Sequence, residues 1–193
     1  MPPKVLRSLV RVPTGYRSSE TASFFAQLDE LSARMLADMK SCPPAELAWQ
    51  PGRGMNTIGM LLAHNAIVEG FWIMIAAGSY AREKLDKALG IGEYDDGMPL
   101  PANGAPPAAL RGRNFAFYRK LHDRARSFAK RTGRGLAEAD LDRIVKRRRP
   151  DGTRREMNVR WILYHVLEHQ AGHYGQMLLL RHQYRGRRKA RKP

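Results

Sequence analysis

Four stretches of this chain repeat their apolar residues at the spacing of an α-helix, and very little of it alternates at the spacing of a strand. This pattern constrains the fold most, because long amphipathic helices must bury their apolar stripes against one another. The first stretch starts at Ser18 or Ser19, either of which can cap a helix. It aligns Phe24, Leu28, Leu31 and Met35, with Phe25, Leu36 and Met39 widening the stripe. Cys42-Pro43-Pro44 stops it, because proline lacks an amide donor and clashes with the preceding turn. The second runs from Asn56 or Thr57 to about Ala77, with Gly78 as its stop. Its inward line is Leu61, His64, Val68, Phe71 or Trp72, and Ile75. The third runs from about Pro107 to Arg131 on a stripe of Leu110, Phe117, Leu121, Ala125 and Phe128, and Gly133 and Gly135 end it. The fourth spans about Asn158 to Tyr184.

The links are as informative as the helices. Residues 79–106 are rich in glycine and proline after Leu89, and so long a link suits a crossover that lets the second and third helices run parallel. A short helix fits within it around Ala81–Leu89. Residues 143–158 (RIVKRRRPDGTRREMN) read as a two-stranded ribbon turned at Pro150-Asp151-Gly152. The expected fold is all-α: a four-helix bundle with a long crossover between helices two and three and a small basic β-ribbon before helix four. Residues 1–18 form a basic N-terminal extension, 19–184 the bundle domain, and 185–193 a basic, disordered tail.

At 193 residues the chain is long enough for one domain with a real core. No apolar run is expected to cross a bilayer, since the longest, from Ile58 to Ala77, carries His64, Asn65 and Glu69 and reads as a core helix. The N-terminus has no apolar signal region, so the expected location is the cytoplasm. Cys42 is the only cysteine, which excludes an intrachain disulfide and a thiolate metal cluster. The net charge is +16, with seven of the 34 Lys and Arg residues between Arg143 and Arg155 and seven more between Arg181 and Lys192. Such patches attract nucleic acid through counterion release, so weak nucleic-acid binding by the ribbon and tail is one expectation. The plainer reading is a solvated loop and a solubilising tail, as no aromatics interleave with RGRRKARKP.

Three of the six histidines, His165, His169 and His173, stand four residues apart in the fourth stretch and so share one helix face. His165 and His173 lie about 12 Å apart along the axis, too far for one ion at metal–nitrogen bonds of about 2.0–2.1 Å. An adjacent pair, 165/169 or 169/173, can share one, and His64 is the candidate third ligand from another helix. Neutral imidazoles suit zinc or nickel, and also iron, rather than calcium or magnesium. Three protein ligands leave one position open for water or substrate. The competing reading is a set of core histidines satisfied by hydrogen bonds. His122 and His182 fall outside the column and read as surface residues, and Glu168 as solvated.

Asn56–Trp72 (NTIGMLLAHNAIVEGFW) and Arg160–His182 (RWILYHVLEHQAGHYGQMLLLRH) together resemble the DinB-like superfamily, named for damage-inducible bacterial proteins and including mycothiol- and bacillithiol-dependent transferases. The matching features are the mid-helix histidine followed by Glu69 and Trp72, the W-x-x-x-H start, the H-x3-H core and the Gly-Gln ending. The resemblance covers roughly residues 19 to 184. It implies a divalent metal held by His64, His169 and His173, with His165 one turn outside. It further implies a metal-dependent transferase in which a low-molecular-weight thiol attacks an electrophilic small-molecule substrate, or a hydrolase using metal-activated water. Glu69, His165, Tyr174, Gln176 and Trp72 are the expected pocket residues around the metal. A homodimer through exposed apolar faces is a further expectation, and a non-catalytic metal-binding or nucleic-acid-binding bundle is the alternative reading.

Overall fold

The computed structural model of the chain describes residues 8–148 and 151–190, the side chains of 188–190 excepted. Its elements are α1 (Ser19–Met39), α2 (Pro44–Leu47), α3 (Ile58–Ala76), α4 (Arg82–Leu89), α5 (Phe115–Gly133), β1 (Ile144–Arg148), β2 (Arg154–Asn158) and α6 (Val159–Ala190). The four long helices form an all-α bundle, and β1 and β2 pair as one antiparallel ribbon. Local chemistry sets most boundaries. Ser18 and Thr57 accept hydrogen bonds from the third residue beyond each, capping α1 and α3. Gly78, at φ 70°, takes the left-handed conformation that ends α3.

The third long helix starts later than expected. Pro107 opens only a 3-10 turn at Ala108–Leu110, Gly112 at φ 68° breaks the chain, and the Asn114 side chain caps α5 by accepting from the Phe117 amide. The fourth long helix continues past Tyr184 to Ala190, so residues 185–190 are helical rather than a disordered tail. Residues 191–193 of that tail, the first seven residues of the N-terminal extension, and Pro150 of the ribbon turn lie outside the described residues. Arg181 and Arg185, from the C-terminal basic patch, close on the buried carboxylate of Glu46 at 3.6 and 3.2 Å.

Helix α3 is the centre of the bundle and packs most extensively against α5 and α6. By length and composition it is apolar enough to cross a membrane, which the sequence reading did not expect, but most of it is buried inside the fold. It runs parallel to α5: Gly59 lies against Tyr118, and Glu69 pairs with Arg126. That orientation is what the long crossover allows. A side chain at position 59 would run into the Tyr118 ring, so the helices approach where only glycine fits.

A charged web holds the four long helices together. Arg126 donates to Glu69 at 2.6 and 3.0 Å, to Asp29 at 2.5 Å and to the Ser32 hydroxyl at 2.7 Å, and Gln170 of α6 also donates to Ser32 at 2.6 Å. The Glu69 side chain is 1% exposed. Burial of this kind is tolerable only because each charge is paired and hydrogen-bonded.

Candidate metal centre

The stripe of α3 that bears His64 faces α6 at the edge of the core. Leu61 is buried, but His64, Val68, Phe71, Trp72 and Ile75 are each half-exposed. They line one wall of a cleft, and α6 supplies the other. The two helices run antiparallel there: His64 meets His169 and His173, and Trp72 meets His165. The stripe is therefore a half-buried seam between α3 and α6.

At one end of the cleft three imidazoles converge. His169 Nε2 lies 3.2 Å from His64 Nε2 and 3.2 Å from His173 Nε2, and the three candidate donor atoms all fall within 4.8 Å of one another. Spacing along α6 left 165/169 and 169/173 open; the fold brings 169/173 to His64. His165 sits one turn away, its ring 5.6 Å from that of His169.

The outer ring nitrogens set the tautomers. His64 Nδ1 lies 2.8 Å from a carboxylate oxygen of Asp96, and His173 Nδ1 lies 2.9 Å from the Gln176 side-chain oxygen. Both oxygens accept, so both Nδ1 atoms carry protons, and in the neutral form of each ring Nε2 presents its lone pair inward. His169 can donate one Nε2 proton to only one of them. Without a cation, one of those lone pairs has no donor from the other two imidazoles; a cation among the three takes all of them. Tetrahedral donors at bonds of about 2.05 Å stand about 3.3 Å apart, and the 3.2 Å spacings match that edge. Burial and the neighbouring imidazoles push the His169 pKa down to about 3, and burial lowers that of His173. Both rings are thus neutral, as metal ligation requires.

Asp96 is the residue that the sequence reading missed. It is 3% exposed, and its second oxygen accepts the Met98 amide at 3.0 Å. It sits in the long crossover, 32 positions from His64. The only local sign was an Asp-Asp-Gly turn in a glycine-rich link, which gives no indication of its partner.

Among the expected pocket residues, Gln176 orients His173. Trp72 and His165 line the cleft, their rings 5.3 Å apart and perpendicular; His165 also stacks on Trp161 at 4.7 Å and 15°. Two others lie elsewhere. Glu69 turns to Arg126, because five residues beyond His64 point roughly 140° around the helix. Tyr174 donates to Asp38 of α1. Glu168 is exposed, yet it accepts from His165 Nδ1 at 2.9 Å. His122, expected on the surface, is 3% exposed between α3 and α5, and burial drives its pKa down to about 4.

Fold and site together define a helical-bundle protein whose three-histidine cluster is compatible with a divalent metal ion. The family model of the DinB superfamily matches residues 27–177, and the chain belongs to that superfamily. No curated protein matches it.

Proposed function

We propose that the chain is a divalent-metal-dependent enzyme acting on small molecules, with His64, His169 and His173 holding one zinc or nickel ion. The observation that carries this reading is the convergence of three imidazole Nε2 atoms, with His169 3.2 Å from each of the other two and those two aimed by second hydrogen bonds. When bound, the cation supplies Lewis acidity that lowers the pKa of a thiol or water taking the position the protein leaves open. Asp96 and Gln176 hold their imidazoles in the ligating tautomer. Trp72, Trp161 and His165 form an aromatic group further along the same pair of helices, suited to the body of an organic substrate.

The chain supplies no thiol nucleophile of its own. Cys42 is buried, and burial together with Glu46 pushes its pKa up to about 11; the thiol is inert at neutral pH. Thiol transfer therefore needs a low-molecular-weight thiol from outside, whereas hydrolysis would use metal-activated water at the same three ligands. Elemental analysis of the purified protein after incubation with zinc or nickel tests the site. One equivalent is expected in the wild type and a loss in His64→Ala, His169→Ala and His173→Ala. A wild type that holds no stoichiometric metal refutes the proposal.

A further inference from the structure

The ribbon presents its arginines to the cleft in an arrangement that calls for a counter-anion. In the register of β1 and β2, Arg147 stands directly opposite Arg155, on the same face as Val145 and the buried Met157. Both arginines are half-buried. The Arg147 guanidinium lies 4.7 Å from the centre of the Phe71 ring and 5.5 Å from that of Trp72, and the Arg155 guanidinium lies 4.3 Å from that of Trp161. Those aromatic rings continue the cleft wall beyond His165.

Like charges opposite one another on a ribbon are destabilising. Here neither guanidinium forms an ion pair among the described residues. Glu156, the carboxylate on the two strands, is on the outer face with Lys146 at 3.1 Å. Glu168 feels the charge of Arg155, but its hydrogen bonds are with His165 and Tyr164. Each guanidinium sits over aromatic rings, a contact that leaves N–H groups available to donate to an anion.

Resting on the metal-site reading above, we propose that Arg147 and Arg155 clamp a carboxylate or phosphate group of the small molecule whose other end reaches the three histidines. Arginine forks match either anion by paired hydrogen bonds. The length of that molecule follows from the helices. Trp72 is eight residues from His64 and Trp161 eight from His169, about 12 Å along each axis. The ligand is thus an extended anion with its reactive group roughly 12 Å from its charge. A compact substrate would reach only one of the two sites.

The test uses full-length, chelator-stripped protein, titrated with inorganic phosphate or with glutarate at constant ionic strength and followed by tryptophan fluorescence and thermal shift. Saturable binding of at least one anion to the wild type is expected, and the tighter of the two names the group. Arg147→Gln/Arg155→Gln is expected to weaken it at least tenfold, with Arg155→Gln alone in between. Arg148→Gln/Arg154→Gln, on the outer face of the same ribbon, is expected to stay within twofold. With no anion added, the inner-face double variant is expected to melt no lower than wild type, because it removes opposed charges. Equal weakening by the two double variants, or no saturable response to either anion, overturns the clamp. Zinc content separates this proposal from the one it rests on: the inner-face variant is expected to bind the wild-type equivalent. Failure of the wild type to bind zinc would sink the metal-site reading, while the titration on stripped protein still decides the clamp.

Discussion

Replacing Asp96 with asparagine changes almost no volume and isolates one physical effect, the aim of a ligand. The carboxylate accepts two protons at once, from His64 Nδ1 at 2.8 Å and from the Met98 amide at 3.0 Å. An asparagine has one accepting oxygen. If that oxygen keeps the Met98 amide, its NH2 group faces His64 Nδ1 and forces the ring into the other tautomer, which turns an N–H toward the metal position. If the oxygen keeps His64, two donors meet at Met98. Partners that orient metal-bound histidines are typically worth 10- to 100-fold in metal affinity, about 1.4–2.7 kcal/mol. The expected result for Asp96→Asn is therefore a zinc affinity lower by that factor, read by competition against a chromophoric chelator. The stripped variant is expected to keep its helical circular dichroism. An Asp96→Asn protein that binds zinc within twofold of wild type would refute the claim that this carboxylate sets the tautomer of His64.

Three further outcomes follow from the buried groups. Burial holds His122 near pKa 4, while in the unfolded chain it titrates near 6.5. Its contribution is fully present above pH 6.5 and is lost as pH falls toward 4, about 3 kcal/mol in all; urea unfolding of His122→Gln should show a pH dependence flatter by about that amount, and parallel curves would contradict it. Arg126→Met leaves the Glu69 carboxylate buried without its partner and is expected to cost about 3–5 kcal/mol, measured by denaturant unfolding, with zinc stoichiometry retained in the folded fraction. Cys42, buried with its pKa raised to about 11, should react with an alkylating reagent only at the rate of unfolding in the native protein and rapidly in denaturant; fast native labelling would show an accessible thiol.

Much of the fold was legible because its signals are short-range. Ser18, Thr57 and Gly78 mark helix ends through their own hydrogen bonds or dihedrals, and four-residue spacing alone puts His169 and His173 on one face. The late start of α5 was also local, since Asn114 was a readable cap after Gly112, but Pro107 offered an earlier start. The long crossover announced parallel helices without specifying their rotation.

Rotation and approach decided the rest. Whether Glu69 reaches the histidines or Arg126 depends on which sides of α3 meet α5 and α6, and a periodic apolar pattern around nearly the whole helix does not encode that. The burial of His122 has the same origin, because α5 shows its polar residues on a face that α3 partly covers. The choice of 169/173 over 165/169 came from the residue resemblance and from the position of His64 in space, never from spacing. Asp96 and the opposed pair Arg147 and Arg155 gain meaning only when a long link and a ribbon are laid against α3 and α6. Hydrogen bonds and capping act over a few residues and are written locally; convergence of side chains from distant segments is a property of packing, and only the folded chain establishes it.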